Sequence, residues 1–319
     1  MAALHINPYL MDGTDVLLQR RSKTICTVPQ LVEGITPLDN GILSFTEDEY
    51  RVFIQQEPSA QKWFRPWLTG NDFINGQTNY CLWLSNATPS ELKAMPKVMT
   101  RLAQVREFRE NSKSSQKFAA TPWLFRETTI PNRYILIPKT SSERRQFFPL
   151  GFVELSVVTN SALYLDRATP YHFGILSSTM HNAWVRTTCG RLKSDYRYSA
   201  SIVYNNFPWP DLSSNQPPAH TGRSQAAIEK EAQSVLDTRA LFPESSLADL
   251  YDPLTMPPAL VKAHQKLDAA VDAAYALGGG KKTWKNDADR VAYLFELYQQ
   301  YTSLLPTEKF KPRRRAKGA

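Results

Sequence analysis

The densest group of side chains able to do recognition chemistry lies at 189–210, CGRLKSDYRYSASIVYNNFPWP, where Arg191, Lys193, Asp195, Tyr196, Arg197, Tyr198, Asn205 and Asn206 fall within sixteen residues. Their types match base-pair edges and the phosphates flanking them. Arg and Lys donate to guanine, Asp accepts from the cytosine amino group, Asn brackets adenine, and Tyr or Ser hydroxyls hold phosphate oxygens. In an extended chain alternate side chains share a face, so Lys193, Asp195 and Arg197 are expected to point together into one groove. A solvated, ion-paired strand face fits the same composition. A second cluster, PKTSSERRQFFP, sets Ser141, Ser142, Arg144 and Arg145 in one turn, a grip suited to phosphate. A surface turn closed by its own ion pair to Glu143 fits equally well.

Catalytic signatures are sparse by comparison. GGGKKT at 278–283 lacks the leading glycine of a phosphate loop and follows a helical stretch. There is no glycine-rich turn after a first strand to approach S-adenosylmethionine. There is also no Asn-Pro-Pro-aromatic corner to receive a flipped base, since Asn7-Pro8-Tyr9-Leu10 lacks one proline. No GxSxG elbow occurs, and His172 and His181, nine apart, do not make an i, i+4 metal pair. A nuclease-like Pro210-Asp211 has only Glu91-x-Lys93, far upstream, to complete it. Cys26, Cys81 and Cys189 share no CxxC or CxH spacing, so neither disulfides nor zinc are implied. The sequence therefore offers no catalytic, cofactor-binding or metal-binding set.

The elements that must position the clusters follow from periodicity. Strands are expected at 15–18, 79–84, 133–138, 151–159 and 162–165. Helices are expected at 89–112, with Leu92, Met95, Met99, Leu102, Val105 and Phe108 as its stripe, and at 171–189, on Phe173, Leu176, Met180 and Trp184. An extended IVYNNFPWPDL leads into the Pro-rich SSNQPPAHTG, a domain joint. Beyond it, helices are expected at 226–241, 258–277 and 287–305, their polar faces carrying Glu229, Lys230, Glu231, Asp268 and Asp272.

The 319 residues, 42% apolar and 21% charged, suffice for one large or two modest domains. The net charge of +8 suggests an anionic partner, but the last twelve residues, EKFKPRRRAKGA, hold six Lys or Arg against one Glu and so supply +5 of it. No apolar run has the length of a membrane span and no signal-peptide layout opens the chain, so a soluble, cytoplasmic protein is expected.

Several segments together resemble one family. NPYLMDGTDVLLQRRSK, FRPWLTGNDFINGQTNYCLWL, PKTSSERRQFFPLGF, YHFGILSSTMHNAWVRTTCGRLKSDYRYS, IVYNNFPWP and LFPESSLADLYDPLTMPPALVKAHQKLDAAVDAAY are similar, in order, to the C-terminal half of MmeI-like restriction-modification enzymes. Those are single chains of nuclease, helical connector, adenine-N6 methyltransferase, target recognition domain and small C-terminal helical domain. The resemblance implies a recognition half for double-stranded DNA. The methyltransferase, with its S-adenosylmethionine, and any nuclease would then lie in a partner domain or subunit. It also implies that Lys193 and Asp195 stand where two residues jointly read one base pair. The expected fold is mixed α/β: a recognition domain at 1–211, a helical domain at 218–305 and a basic, disordered tail at 306–319. The other reading is a stand-alone nuclease with an unfamiliar site, or an inactive gene fragment.

Overall fold

The computed structural model describes residues 6–9, 15–212 and 218–303; the basic tail and part of the joint at 213–217 lie outside the described residues. The first half runs β1 (Leu31–Glu33), β2 (Ser44–Phe45), α1 (Glu47–Gln56), β3 (Phe64–Leu68), α2 (Gly70–Asn75), β4 (Asn79–Leu82), α3 (Pro89–Lys93) and α4 (Pro96–Glu110). It continues with β5 (Arg133–Pro138), β6 (Thr140–Ser141), β7 (Gly151–Glu154), β8 (Val157–Val158), β9 (Ala162–Asp166), α5 (Pro170–Ser177), α6 (Thr179–Thr188), β10 (Gly190–Leu192) and β11 (Asp195–Arg197). Helices α7 (Pro218–Ala240), α8 (Leu247–Leu250), α9 (Pro258–Leu277) and α10 (Asp287–Thr302) complete the described chain.

The strands form three sheets, ordered β1-β9-β5-β7, β10-β11-β6 and β2-β4-β3-β8. One extended segment, 133–141, serves two of them. Leu136 and Pro138 pair with Tyr164 and Ala162 of β9, and two residues later Thr140 and Ser141 pair with Arg197 and Tyr196 of β11. The rigid central sheet therefore carries the hairpin on its end. The strand expected at 151–159 is broken at Leu155, whose φ of 52° turns the chain out of the first sheet. Val157 and Val158 then pair in parallel with Trp67 and Leu68 of the third. Residues 15–18 show the expected alternation, Val16 and Leu18 buried and Leu17 exposed, but form no ladder.

Two expected helices are each split in two. Pro96 has no amide proton and clashes with the preceding turn, so α3 ends before it and α4 begins at it. The restart shifts the inward phase: Val98, Leu102, Val105 and Arg109 face the core, while Met99 is 41% exposed. Arg109 is wholly buried and donates to the carbonyls of Leu38, Phe118, Thr121 and Leu124 at 2.8–3.1 Å, replacing solvent for its charge. The second split falls at Ser178, whose extended backbone ends α5 and whose hydroxyl caps α6 by accepting from the His181 amide. The start of the segment expected to be extended, 202–204, instead belongs to a π-helical turn at Ala200–Tyr204 capped by Ser199.

The largest apolar cluster is continuous from the central sheet (Ile135, Leu163) through α5 and α6 (Phe173, Trp184) to α7, α9 and α10 (Ile228, Leu267, Phe295). Gly174 allows the closest approach in it: a Cβ there would stand 2.7 Å from Ile228 Cγ2 and 3.2 Å from Ala232 Cβ. The polar face expected on α9 is corrected at two positions. Asp268 accepts from the Thr179 amide and hydroxyl, both at 2.6 Å, and Asp272 is buried against Arg290 at 2.9 Å. Each carboxylate finds its partner on another helix, while on α7 Lys230 is exposed and Glu229 and Glu231 are half-buried. Burial raises the Asp268 carboxyl and pushes Asp272 up to about 6.

Candidate nucleic-acid interface

The segment 190–197 is a hairpin closed by Lys193-Ser194, with pairs Leu192↔Asp195, Arg191↔Tyr196 and Gly190↔Arg197. This corrects the single extended strand on which Lys193, Asp195 and Arg197 were expected to alternate. Lys193 takes the turn's left-handed position, φ 55°, a conformation that suits the twist of a two-residue hairpin and costs a non-glycine residue about 1 kcal/mol or more. Asp195 and Arg197 do share a face of β11, with Leu192 and Thr140 beside them in register. Lys193, at the tip, and Arg197 are exposed, and Asp195 is half-buried.

The opposite face is built of packing. Tyr196 is buried, and the Arg191 guanidinium lies 3.9 Å over its ring. Arg191 also donates to the Ser194 carbonyl at 2.7 Å and pairs with Glu143 at 3.3 Å. Glu143 thus joins the hairpin to the arginine loop, in place of the ion pair with its own neighbours that a self-closed turn requires.

In that loop Ser142 Oγ accepts from the Arg144 amide at 3.3 Å, and buried Ser141 meets Arg145 Nη1 at 3.5 Å. Burial draws the Arg145 guanidinium below its usual pKa, while Asp252 and Asp195 oppose that shift. Arg144 is 63% exposed and reaches Asp252 at 3.9 Å. Arg144, Arg145, Arg191, Lys193 and Arg197 therefore lie on two joined segments whose own carboxylates are Glu143 and Asp195.

Tyr198, Asn205 and Asn206 do not reach this surface. The Tyr198 hydroxyl is buried 3.0 Å from His181 Nε2, and burial holds His181 at about 3, hence neutral. Asn205 donates to the Arg21 carbonyl at 2.8 Å, and Asn206 donates to Gln19 and accepts from Arg21 Nε, each at 2.9 Å. Both amides fasten the 19–25 segment. The reading in which they bracket an adenine is corrected, because both side chains are buried and their amide nitrogens already donate to backbone carbonyls.

Other motifs resolve in the same way. Glu91 closes the N-terminus of α3 through Thr88 and pairs with Lys62 at 2.7 Å, which holds its carboxyl down to about 2. Its carboxylate is thus engaged at the start of α3. Gly34, directly after β1, is packed on the Thr159 carbonyl and offers a cofactor no cradle. Among the described residues, no three His, Cys, Asp or Glu side chains group as a metal site requires. No helix among them is long and apolar enough to cross a membrane.

Residues that sequence reasoning missed surround the arginine loop. Arg186 of α6 donates to the Gln146 carbonyl at 2.7 Å and pairs with Asp287 at 2.7 Å. Arg239 of α7 donates to the Leu150 carbonyl at 2.8 Å, and Asp252 faces Arg144. Nothing local marks them, since their partners lie 40 to 108 positions away in the chain.

A mixed α/β unit presenting a charged hairpin and an arginine loop, backed by a helical bundle, defines a recognition-type domain with its support. The chain belongs to the MmeI target recognition domain family, whose model matches residues 12–211, and the MmeI C-terminal domain model matches residues 221–306. It is 39% identical over 302 residues to DNA methyltransferase A of Bacillus subtilis (strain 168), covering 93% of this chain and 33% of that protein. Among solved structures it is similar to the Type IIL restriction-modification enzyme MmeI in complex with DNA. The TM-score is 0.86 and the identity 46%, over 95% of this chain and 39% of that one. The chain thus spans between a third and two fifths of the length of these relatives.

Proposed function

We propose that this chain is the sequence-reading module for double-stranded DNA of a restriction-modification adenine methyltransferase. The methyltransferase, and any nuclease, reside in a partner domain or subunit that holds S-adenosylmethionine. The domain at 1–211 makes the contacts, the helices of 218–305 buttress it, and the tail at 306–319 adds non-specific attraction. The reading fits a cytoplasmic protein.

One observation carries the proposal. Within 191–206, the polar side chains free of the core gather on the hairpin: Lys193, Asp195 and Arg197, with Arg191 behind them, while Tyr198, Asn205 and Asn206 are buried. A hairpin fits the major groove, and a Lys beside an Asp complements one G·C pair. The ammonium donates to guanine O6 or N7, and the carboxylate accepts from the cytosine amino group. Arg197 on the same face reads or frames a neighbouring pair. Arg144, Arg145 and Arg191 set register on the phosphates, with Ser141, Ser142 and Tyr196 supporting them.

The test is selection of bound duplexes from a randomised DNA pool by the full chain, followed by sequencing. One enriched motif is expected. Recovery without sequence preference, from a folded chain that binds DNA, contradicts the proposal.

A further inference from the structure

The arginine loop between β6 and β7 does not hold its own position. Its ends and middle are fastened by the C-terminal helices and by α6, on which those helices pack. Asp287, the first residue of α10, takes both Arg186 Nε (2.9 Å) and Nη2 (2.7 Å). With both of those nitrogens on the one oxygen, Oδ2, the remaining nitrogen, Nη1, donates to the Gln146 carbonyl, next to Arg145. Asp252, just beyond α8, faces Arg144 directly and lies within electrostatic reach of Arg145. The far end is held by Arg239, which donates to the Leu150 carbonyl and to the Tyr251 hydroxyl at 2.7 Å. Between these points His264 of α9 stacks on Phe147 with ring centroids 4.0 Å apart, and Asn182 accepts from the Phe148 amide at 2.6 Å.

From this geometry we infer that the C-terminal helices set DNA sequence discrimination without touching DNA, with Asp287, acting through Arg186, and Asp252 as positioning residues for Arg144 and Arg145. The inference rests on the DNA-reading function proposed above. A planar guanidinium held at two nitrogens by one carboxylate has little freedom left, so its third nitrogen fixes the carbonyl it binds. Asp252 acts differently. As a counter-charge it offsets Arg144 and Arg145 until a phosphate in the right place outcompetes it, which penalises DNA bound out of register.

The experiment measures affinity for the selected duplex and for a scrambled duplex of equal length, using the full chain and the variants Asp287→Asn, Arg186→Met, Arg186→Lys and Asp252→Asn. Asp287→Asn and Arg186→Met are each expected to lower the specific-to-scrambled affinity ratio about fivefold or more, and together no further than either alone. Arg186→Lys, one donor group short of the fork, should restore only part of the ratio. Asp252→Asn should tighten binding to scrambled DNA and lower the ratio. Asp287 and Asp252 are 45% and 36% exposed, so their variants keep the test open if Arg186→Met does not fold. A ratio within twofold of wild type in both aspartate variants, even with a lowered Tm, would overturn the inference. A wild-type chain that selects no motif would instead overturn the DNA-reading proposal itself.

Discussion

Replacing Arg144 and Arg145 together by alanine isolates the phosphate grip from base reading. Each cation that neutralises a phosphate releases condensed counterions, and log K then falls with log salt by about 0.9 per contact on duplex DNA. If each arginine meets one phosphate, the double variant's slope is shallower by about 1.8. Over a fourfold rise in salt, from about 50 to 200 mM, the wild type then loses about tenfold more affinity than the variant. The fold should survive the change. The Arg144–Asp252 pair, at 3.9 Å with Arg144 63% exposed, is worth about 0–1 kcal/mol, and the Arg145–Ser141 contact is long at 3.5 Å. The assay is fluorescence anisotropy of a labelled duplex across salt concentrations, with circular dichroism to verify folding. Tyr198→Phe is the control: its hydroxyl faces His181 inside the core, so the slope should stay at the wild-type value. An unchanged slope for Arg144→Ala/Arg145→Ala in a folded protein would refute the phosphate grip.

Deleting residues 307–319 should weaken binding to scrambled DNA and leave the selected motif intact; pool selection with the truncated chain checks this. Gly174→Ala gains helix propensity of about 1 kcal/mol but drives a methyl against Ile228, an overpacking cost of about 1–3 kcal/mol. Net destabilisation by urea is therefore expected, and Ile228→Ala in the same chain should cost less than the sum of the two changes. Burial lowers His181 and His264 to about 3 from 6.5, so near pH 5 both take up a proton on unfolding, whereas Asp272, raised to about 6 from 3.8, releases one. Asp268 acts in the same sense as Asp272. His172, also lowered by burial, adds to the uptake, so the histidines outweigh the carboxylates and stability falls as pH drops from 6.5 toward 5, by about 1.4 kcal/mol per unit for each net proton taken up. Asp272→Asn removes one release and should steepen that fall, as thermal melts across pH would record.

Much of the fold is written in local pattern. The strand at 133–138 is an apolar run with a β-branched and aromatic bias, and the helix from Pro258 to Leu277 begins at a proline and ends at Gly278. The hairpin is less legible, because Lys193-Ser194 has neither the glycine nor the asparagine that announces such turns. Its second strand is also paired to Ser141, some fifty residues upstream. The inward turn of Arg109 and Asp272 was hidden for a related reason. A charged residue is read as solvent-facing until the distant carbonyls or arginine that satisfy it are known. At the candidate site, residue types singled out one segment, but they could not separate outward Lys193, Asp195 and Arg197 from inward Tyr198, Asn205 and Asn206. That separation needed the strand pairing and the 19–25 segment lying against the amides.

The most direct test exchanges the chemistry of the hairpin: Lys193→Glu with Asp195→Arg, the methyltransferase part supplied, and the methylated sites sequenced. Such a contact pair is worth about 1–3 kcal/mol of discrimination, enough to dominate the choice at one position. The account predicts that one base of the preferred site changes from G to C while the remainder persists. Uniform loss of methylation, with no change of preference at any position, would contradict it.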